Sequence, residues 1–271
     1  MSTFEAVVLG IVQGLTEFLP VSSTAHLRIV PAFVGWDDPG AAFTAVTQLG
    51  TMAAVLLYFR EDLYRIARAW LSSLRHPELR GRLEARLGWY ILLGTIPISV
   101  LGLAFHNQIE SGARSLYLIG TTLILLGLVL LVAERAASHE RGLEEVNRSD
   151  AIAIGLAQAL ALVPGVSRSG ATLTAGLFRG LDRPTAARYS FLLSVPAVVL
   201  SGLFEARKIA DGTGAGVTGT LTATVFAFIF GYASIAFLLR FLAHHSTIPF
   251  VVYRVVLGTV VLSLASASVI D

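Results

Sequence analysis

Four stretches of this chain run for about twenty residues without a single Asp, Glu, Lys or Arg: Pro39–Phe59, Leu87–Phe105, Leu116–Ala133 and Gly212–Leu239. A helix needs roughly 20 apolar residues to cross ~30 Å of hydrocarbon, so each run is long enough to span a bilayer. The expected class is an all-α polytopic membrane protein. Composition agrees, because 55% of the 271 residues are hydrophobic and 14% charged, against about 25% charged in soluble domains. There is no cysteine, which excludes disulfides, thiol catalysis and Cys-type zinc sites. The formal net charge is +2, and no basic groove is interleaved with aromatics, so nucleic acid is not an expected partner.

Six segments are expected to span: about 39–59, 87–105, 115–134, 185–205, 217–240 and 248–269. Two further apolar regions are broken. The region 4–35 is interrupted by Pro20 and Ser22-Ser23-Thr24, and the region 151–182 by Pro164-Gly165-Val166-Ser167-Arg168-Ser169-Gly170. Irregular backbone at membrane depth must be packed in protein or line a wet cavity, so these regions read as re-entrant helix pairs. They also resemble one another. Gly10-Ile11-Val12-Gln13 parallels Gly155-Leu156-Ala157-Gln158, and Pro20-Val21-Ser22-Ser23 parallels Pro164-Gly165-Val166-Ser167, about 144–145 residues apart. The spans that follow continue the likeness, in Leu49…Ala53-Ala54-Val55-Leu56 and Leu193…Ala197-Val198-Val199-Leu200.

The chain therefore reads as one membrane domain built by duplication, with a first repeat over 1–135 and a second over 136–271. Each repeat holds one re-entrant pair and three spans. An odd number of crossings inverts the second repeat relative to the first, and inverted repeats with broken helices place their site near the midplane, where the breaks meet. If Arg60–Arg86 is cytoplasmic, 14 of the 20 basic residues fall on its side, which by the positive-inside rule places the termini in the periplasm. Met1–Ala6 lacks Lys and Arg, and Gln13 and Glu17 interrupt the apolar stretch after it. The first segment is thus expected to belong to the fold rather than to a cleaved signal.

The few polar groups left at membrane depth are the candidate site. Gln13 and Glu17 are four residues apart, on one helix face, and an unpaired carboxylate there costs about 2–3 kcal/mol or more. Ser22, Ser23 and Thr24 suit a helix N-cap. His26 follows within reach of Glu17 as an acid, base or nucleophile. The second break combines Gly165 and Gly170 with Ser167, Ser169, Thr172 and Arg168 at an expected helix N-terminus, where freed N–H groups and the helix dipole favour an anion and an arginine fork binds phosphate. The alternative for Arg168 is a structural counter-ion to Glu17. Arg254 sits inside the last span, either touching the site or pinning the helix. A carboxylate, an amide, hydroxyls and an imidazole facing a phosphate cradle is the division that phosphoryl transfer needs, and the lipid-embedded setting points to a substrate with a long apolar tail.

Gln13-Gly14-Leu15-Thr16-Glu17-Phe18-Leu19-Pro20-Val21-Ser22-Ser23-Thr24-Ala25-His26 and Pro164-Gly165-Val166-Ser167-Arg168-Ser169-Gly170-Ala171-Thr172 resemble the two signature regions of the bacitracin-resistance-type undecaprenyl-diphosphate phosphatases. Gln48-Leu49-Gly50-Thr51, Phe191-Leu192-Leu193-Ser194-Val195-Pro196 and Ile248-Pro249-Phe250…Tyr253-Arg254 also fit, so the resemblance covers essentially the whole chain. It implies hydrolysis of undecaprenyl diphosphate to the monophosphate carrier of cell-wall synthesis, in the inner membrane, at a site opening to the periplasm. It implies essential roles for Glu17, His26 and Arg168, with Gln13 in the first motif, and phosphate contacts from Ser23, Ser167 and Thr172; Ser23 is also expected to be catalytic, and the residues themselves add Ser169, Gly170 and Arg254 as expected substrate contacts. A divalent cation, Mg²⁺ or Ca²⁺, would lie on Glu17 and Gln13, where Gln13 replaces the Glu of many members. The expected partners are the prenyl diphosphate and membrane lipid, with a homodimer left open. Either His26 or Ser23 attacks the phosphorus, or His26 activates water or the serine, with His26 at the phosphorus and Ser23 beside it the favoured arrangement; a lipid flippase is the competing reading.

Overall fold

The computed structural model describes residues 1–105, 115–209 and 216–270. Among these residues the chain is helical throughout, with one isolated bridge between Arg141 and Leu181. Eleven α-helices are described: α1 Thr3–Phe18, α2 Ser23–Val34, α3 Gly40–Tyr58, α4 Arg60–Arg75, α5 Leu83–Ala104, α6 Leu116–Ala136, α7 Arg148–Ala159, α8 Arg168–Phe178, α9 Arg183–Ile209, α10 Val217–Leu242 and α11 Ile248–Ser266. Four of them, α5, α6, α10 and α11, are long and apolar enough to cross a membrane. They coincide with four of the six expected spans. The expected span at 39–59 is α3, whose described apolar stretch is Phe43–Tyr58, and that at 185–205 lies inside the 27-residue α9.

The lipid-facing surface is apolar rather than charged: Ile96, Val100 and Leu103 on α5, Leu125 and Val132 on α6, and Leu221 and Val225 on α10 are all more than half exposed. In water such a surface would aggregate; in hydrocarbon it is the solvated face. This is a multi-pass membrane protein.

The helices of the two broken regions are too short to span. α2 and α7 have 12 residues each and α8 has 11, about 17–18 Å at 1.5 Å per residue. Small residues let these short helices approach the long ones closely. A Cβ on Gly10 would lie 2.4 Å from the Ala223 carbonyl oxygen, and one on Gly14 would lie 2.7 Å from the Gly231 nitrogen, so α1 and α10 pack backbone to backbone. α7 repeats this against α5, where a Cβ on Gly155 would lie 2.5 Å from the Gly94 Cα. Helices in lipid gain nothing from burying apolar surface against each other, so close contact through small residues carries their association.

Beneath the breaks, Phe18, Phe59 and Phe191 join α1, α3 and α9, with Phe18 and Phe191 edge to face at 5.4 Å. α4 is amphipathic and docks on α5 through Trp70, which meets Trp89 at 5.7 Å. At the same end, Glu134 of α6 accepts from Arg183 of α9 at 2.7 Å and from the Thr247 hydroxyl before α11 at 2.8 Å.

Asp150, in the first turn of α7, is fully buried and receives Arg141 at 2.6 Å and Arg179 at 2.7 Å. Its carboxylate also caps the helix through the Asn147 backbone N–H at 3.0 Å. Burial pushes the Asp150 pKa up, but the hydrogen bonds from Arg141 and Arg179 outweigh it and hold the carboxyl below its usual range. A depressed folded pKa contributes stability that is fully present above the unfolded value of about 3.9 and is lost as pH falls through the folded value. Asp150→Asn should therefore cost roughly 3 kcal/mol at neutral pH, as for a broken buried ion pair, read as a lower unfolding midpoint in detergent. The gap to the unsubstituted protein should narrow below about pH 4.

Candidate active site

Glu17 occupies the last turn of α1 and is 8% exposed. A carboxylate held there needs its lone pairs filled, and four groups fill them. Oε2 accepts from Gln13 Nε2 at 3.0 Å, one turn back on the same helix, and from the Ser23 hydroxyl at 2.6 Å. Oε1 accepts from Arg168 at 2.6 Å and from Gln48 Nε2 of α3 at 3.5 Å. Ser23 is the first residue of α2 and Arg168 the first of α8. Two helix N-termini, each carrying partial positive charge, thus converge on one carboxylate.

The chain enters both helices the same way. Ser22 and Ser167 are the N-caps, with φ of 75° and 72°, a region rarely adopted outside glycine and costing of order 1–3 kcal/mol where the surroundings impose it. Each hydroxyl accepts from the backbone N–H three residues on, Ala25 for Ser22 and Gly170 for Ser167. The cap bond of Ser22 accounts for one of the three hydroxyls at the first break. Ser169 closes the gap between the breaks, donating to the Leu19 carbonyl at 3.0 Å and lying 3.1 Å from Ser167 Oγ.

His26, one turn into α2, is 5% exposed. Its Nδ1 lies 2.7 Å from the Ser22 carbonyl oxygen and its Nε2 lies 2.7 Å from the Tyr253 hydroxyl. A carbonyl only accepts, so Nδ1 carries the hydrogen, and in the neutral ring Nε2 then accepts from Tyr253. The imidazole is fixed at both ends.

Two expected substrate contacts are turned elsewhere. The Thr172 hydroxyl is fully buried, bonded to the Arg168 carbonyl at 2.8 Å and to Ser190. Arg254 is 1% exposed, and its guanidinium donates to the carbonyls of Leu123, Pro20, Val166, Thr122 and Gly165 at 3.1–3.4 Å. Arg254 thus bonds the backbone of both breaks at once. Gly170 is where this arginine passes, since a Cβ there would lie 2.8 Å from its Nη1.

The polar cluster is reached from outside through Thr24, which is exposed, and through Ser23 and Arg168, which are partly so. Gln48 and Tyr253 are site neighbours to which sequence reasoning assigned no role, although both lie in stretches quoted for the family resemblance. Among the described residues no group of three His, Asp or Glu side chains comes together as a metal site. The oxygen donors at the centre are Glu17 and the amide oxygen of Gln13, which is buried without a hydrogen-bond partner.

The fold and the site together define a polytopic helical membrane protein with a buried polar centre made from two helix breaks. A family model described as "Bacitracin resistance protein BacA" matches residues 6–260. The chain belongs to that family. It is 56% identical to the "Undecaprenyl-diphosphatase" of Nocardioides sp. over 98% of this chain and 97% of that one. It is 51% identical to the protein of the same name from Thermobifida fusca, over 100% and 92%, and 54% identical to that of Chlorobaculum parvum, over 95% of each.

If Arg254 acts by pinning, its removal strands five buried carbonyls, each costing about 1–3 kcal/mol. Arg254→Ala should then lower the unfolding midpoint and the yield of monodisperse protein in detergent with no substrate present. A variant of unchanged stability and raised KM would instead place Arg254 on the substrate.

Proposed function

We propose that this protein hydrolyses undecaprenyl diphosphate to undecaprenyl phosphate and phosphate at the Glu17–Ser23–Arg168 cluster, recycling the lipid carrier of peptidoglycan synthesis and so conferring bacitracin resistance. The observation that carries this reading is the meeting of two helix N-termini and an arginine on one buried carboxylate. The names of the relatives state the same activity for those proteins.

The terminal phosphate competes with Glu17 for Arg168 and for the N–H groups that a helix leaves free in its first turn. As Arg168 turns to the phosphate, Glu17 loses its positive partner and becomes a base for Ser23, whose hydroxyl already donates to it at 2.6 Å. Ser23 Oγ then attacks the terminal phosphorus. The Oγ–P bond forms, the bond from phosphorus to the bridging oxygen breaks, the prenyl monophosphate leaves with the electron pair, and the proton goes to Glu17. Water opens the phosphoserine and releases phosphate.

This order reverses the expectation from sequence that favoured His26 at the phosphorus. His26 Nε2 is taken by Tyr253 while Ser23 is paired with a carboxylate, so His26 fits the water step better, with Ser22 and Tyr253 holding its tautomer. Gln13 and Glu17 are the residues to hold a divalent cation, Mg²⁺ or Ca²⁺. The unpartnered amide oxygen of Gln13 suits a hard cation, and bound there it would supply charge neutralisation for the diphosphate.

The finer architecture is six spans with two re-entrant pairs in inverted repeats, 1–135 and 136–271, opening to the periplasm. Ser22 and Ser167 share one unusual backbone conformation about 145 residues apart. Gly10 and Gly155, in register with them, each pack on the second long helix of the other half. Gln13 and Gln158 are both buried with an unpartnered amide oxygen. These likenesses support a duplication.

General acid–base groups contribute roughly 10²–10⁴-fold. Phosphate release from a prenyl diphosphate in detergent should therefore fall at least about 100-fold in each of Glu17→Gln, Ser23→Ala and Arg168→Ala. Ser23→Ala should also abolish a phosphoserine trapped by acid quench. Full activity of Ser23→Ala with loss in His26→Ala would return the attack to His26.

A further inference from the structure

A polar cavity of about 520 Å³ lies away from Glu17, at the other end of α3 and α10. One of its walls, Tyr58, is ten residues beyond Gln48 on α3, about 15 Å along the helix. Another, Arg240, is nine residues beyond Gly231 on α10, about 13 Å from where that helix backs α1. Four arginines, Arg60, Arg65, Arg188 and Arg240, line it against two carboxylates, Glu61 and Asp62.

The lining has donors and positive charge in excess. Asp62 takes Arg65 and Arg188 together, the latter at 2.6 Å, and Arg60 lies 3.5 Å from Glu61. Arg240 has no carboxylate partner among the described residues, and Arg188 Nε is buried without any acceptor. An N–H buried without an acceptor is destabilising until something fills it. What fits is a group with negative charge and several acceptor oxygens, and the arginine fork is matched to phosphate.

The surroundings are those of a membrane surface. α4 begins at the cavity rim and exposes Tyr64, Leu71 and Leu74 from an otherwise charged helix, the pattern of a helix lying in the interface. Tyr58 and Tyr232 stand at the cavity, where aromatic residues mark the headgroup level. Basic pockets between membrane helices take anionic headgroups.

We propose that this cavity is a second phosphate-binding site, for the phosphate of an anionic lipid headgroup or for free phosphate, distinct from the centre at Glu17. It rests on the multi-pass membrane character of the chain and not on the reaction assigned to Glu17. Asp62 sets the two arginines in place and Arg240 supplies the unpaired charge.

The test uses the full chain purified in detergent, with lipid retention read by native mass spectrometry and unfolding followed with phosphatidylglycerol, phosphatidylcholine or inorganic phosphate alone. The variants are Arg240→Glu and Arg60→Glu, singly and together; both side chains are exposed and neither is bonded to Asp62. The expected result is at least about tenfold preference for phosphatidylglycerol over phosphatidylcholine, falling to parity in the double variant while phosphate release from a prenyl diphosphate is unchanged. Arg240→Gln, which reverses no charge, should lose part of the preference. Stabilisation by millimolar phosphate with no lipid preference, lost in the same variants, would assign the site to the free anion. Equal retention of both lipids with no effect of phosphate, or a preference that survives the substitutions, would overturn the proposal.

Discussion

One buried carboxylate organises this molecule. Glu17 sits where an unpaired charge is not tolerated, and its four hydrogen-bond donors come from its own helix, from α2, from α3 and from α8. Arg168 is 151 residues away in sequence, so the charge is compensated only once both halves of the chain are assembled. The price is a pair of desolvated ions, which seldom adds net stability. What the pair does achieve is placement: it holds the acid beside the Ser23 hydroxyl at 2.6 Å and brings the first residues of α2 and α8 to one point.

The second constraint is backbone. Breaking a helix inside a bilayer exposes carbonyls that lipid cannot hydrate, and here Arg254 takes up those of Pro20, Gly165 and Val166 in one guanidinium. Arg168 and Arg254 are thus alike in residue type and depth yet opposite in use. The first has a carboxylate partner and 15% side-chain exposure. The second is 1% exposed with every N–H committed to carbonyls, and holds the two breaks against each other. Close packing completes the frame, because Gly10 and Gly14 bring α1 onto α10 without any side chain between.

Much of this was legible in the chain because lipid makes strong demands. Charge-free runs of about twenty residues specify spans, and Pro and Gly flanked by hydroxyls specify where they break. Scarcity of charge singled out Glu17, Arg168 and Arg254, while the likeness of residues 20–23 to 164–167 set Ser23 against Ser167, one residue off the two caps, Ser22 and Ser167, that share a φ. Each of these is a local property, one that a residue and its near neighbours impose whatever else the chain does.

Which donor meets which acceptor is not local. The order of residues raised the Arg168–Glu17 pair and the pinning by Arg254 only as alternatives, and gave no sign that Thr172 faces Ser190 inside or that Tyr253 closes on the His26 ring from 227 residues away. Those choices follow from how α6, α8 and α11 settle around the breaks, because a buried polar group must find its partner among whatever the packing brings near it. The sequence by itself determined a helical membrane protein with two broken segments and a few polar residues at the breaks. Tertiary structure decided how those residues pair, since only the assembled fold shows whose hydrogen bonds are already spent.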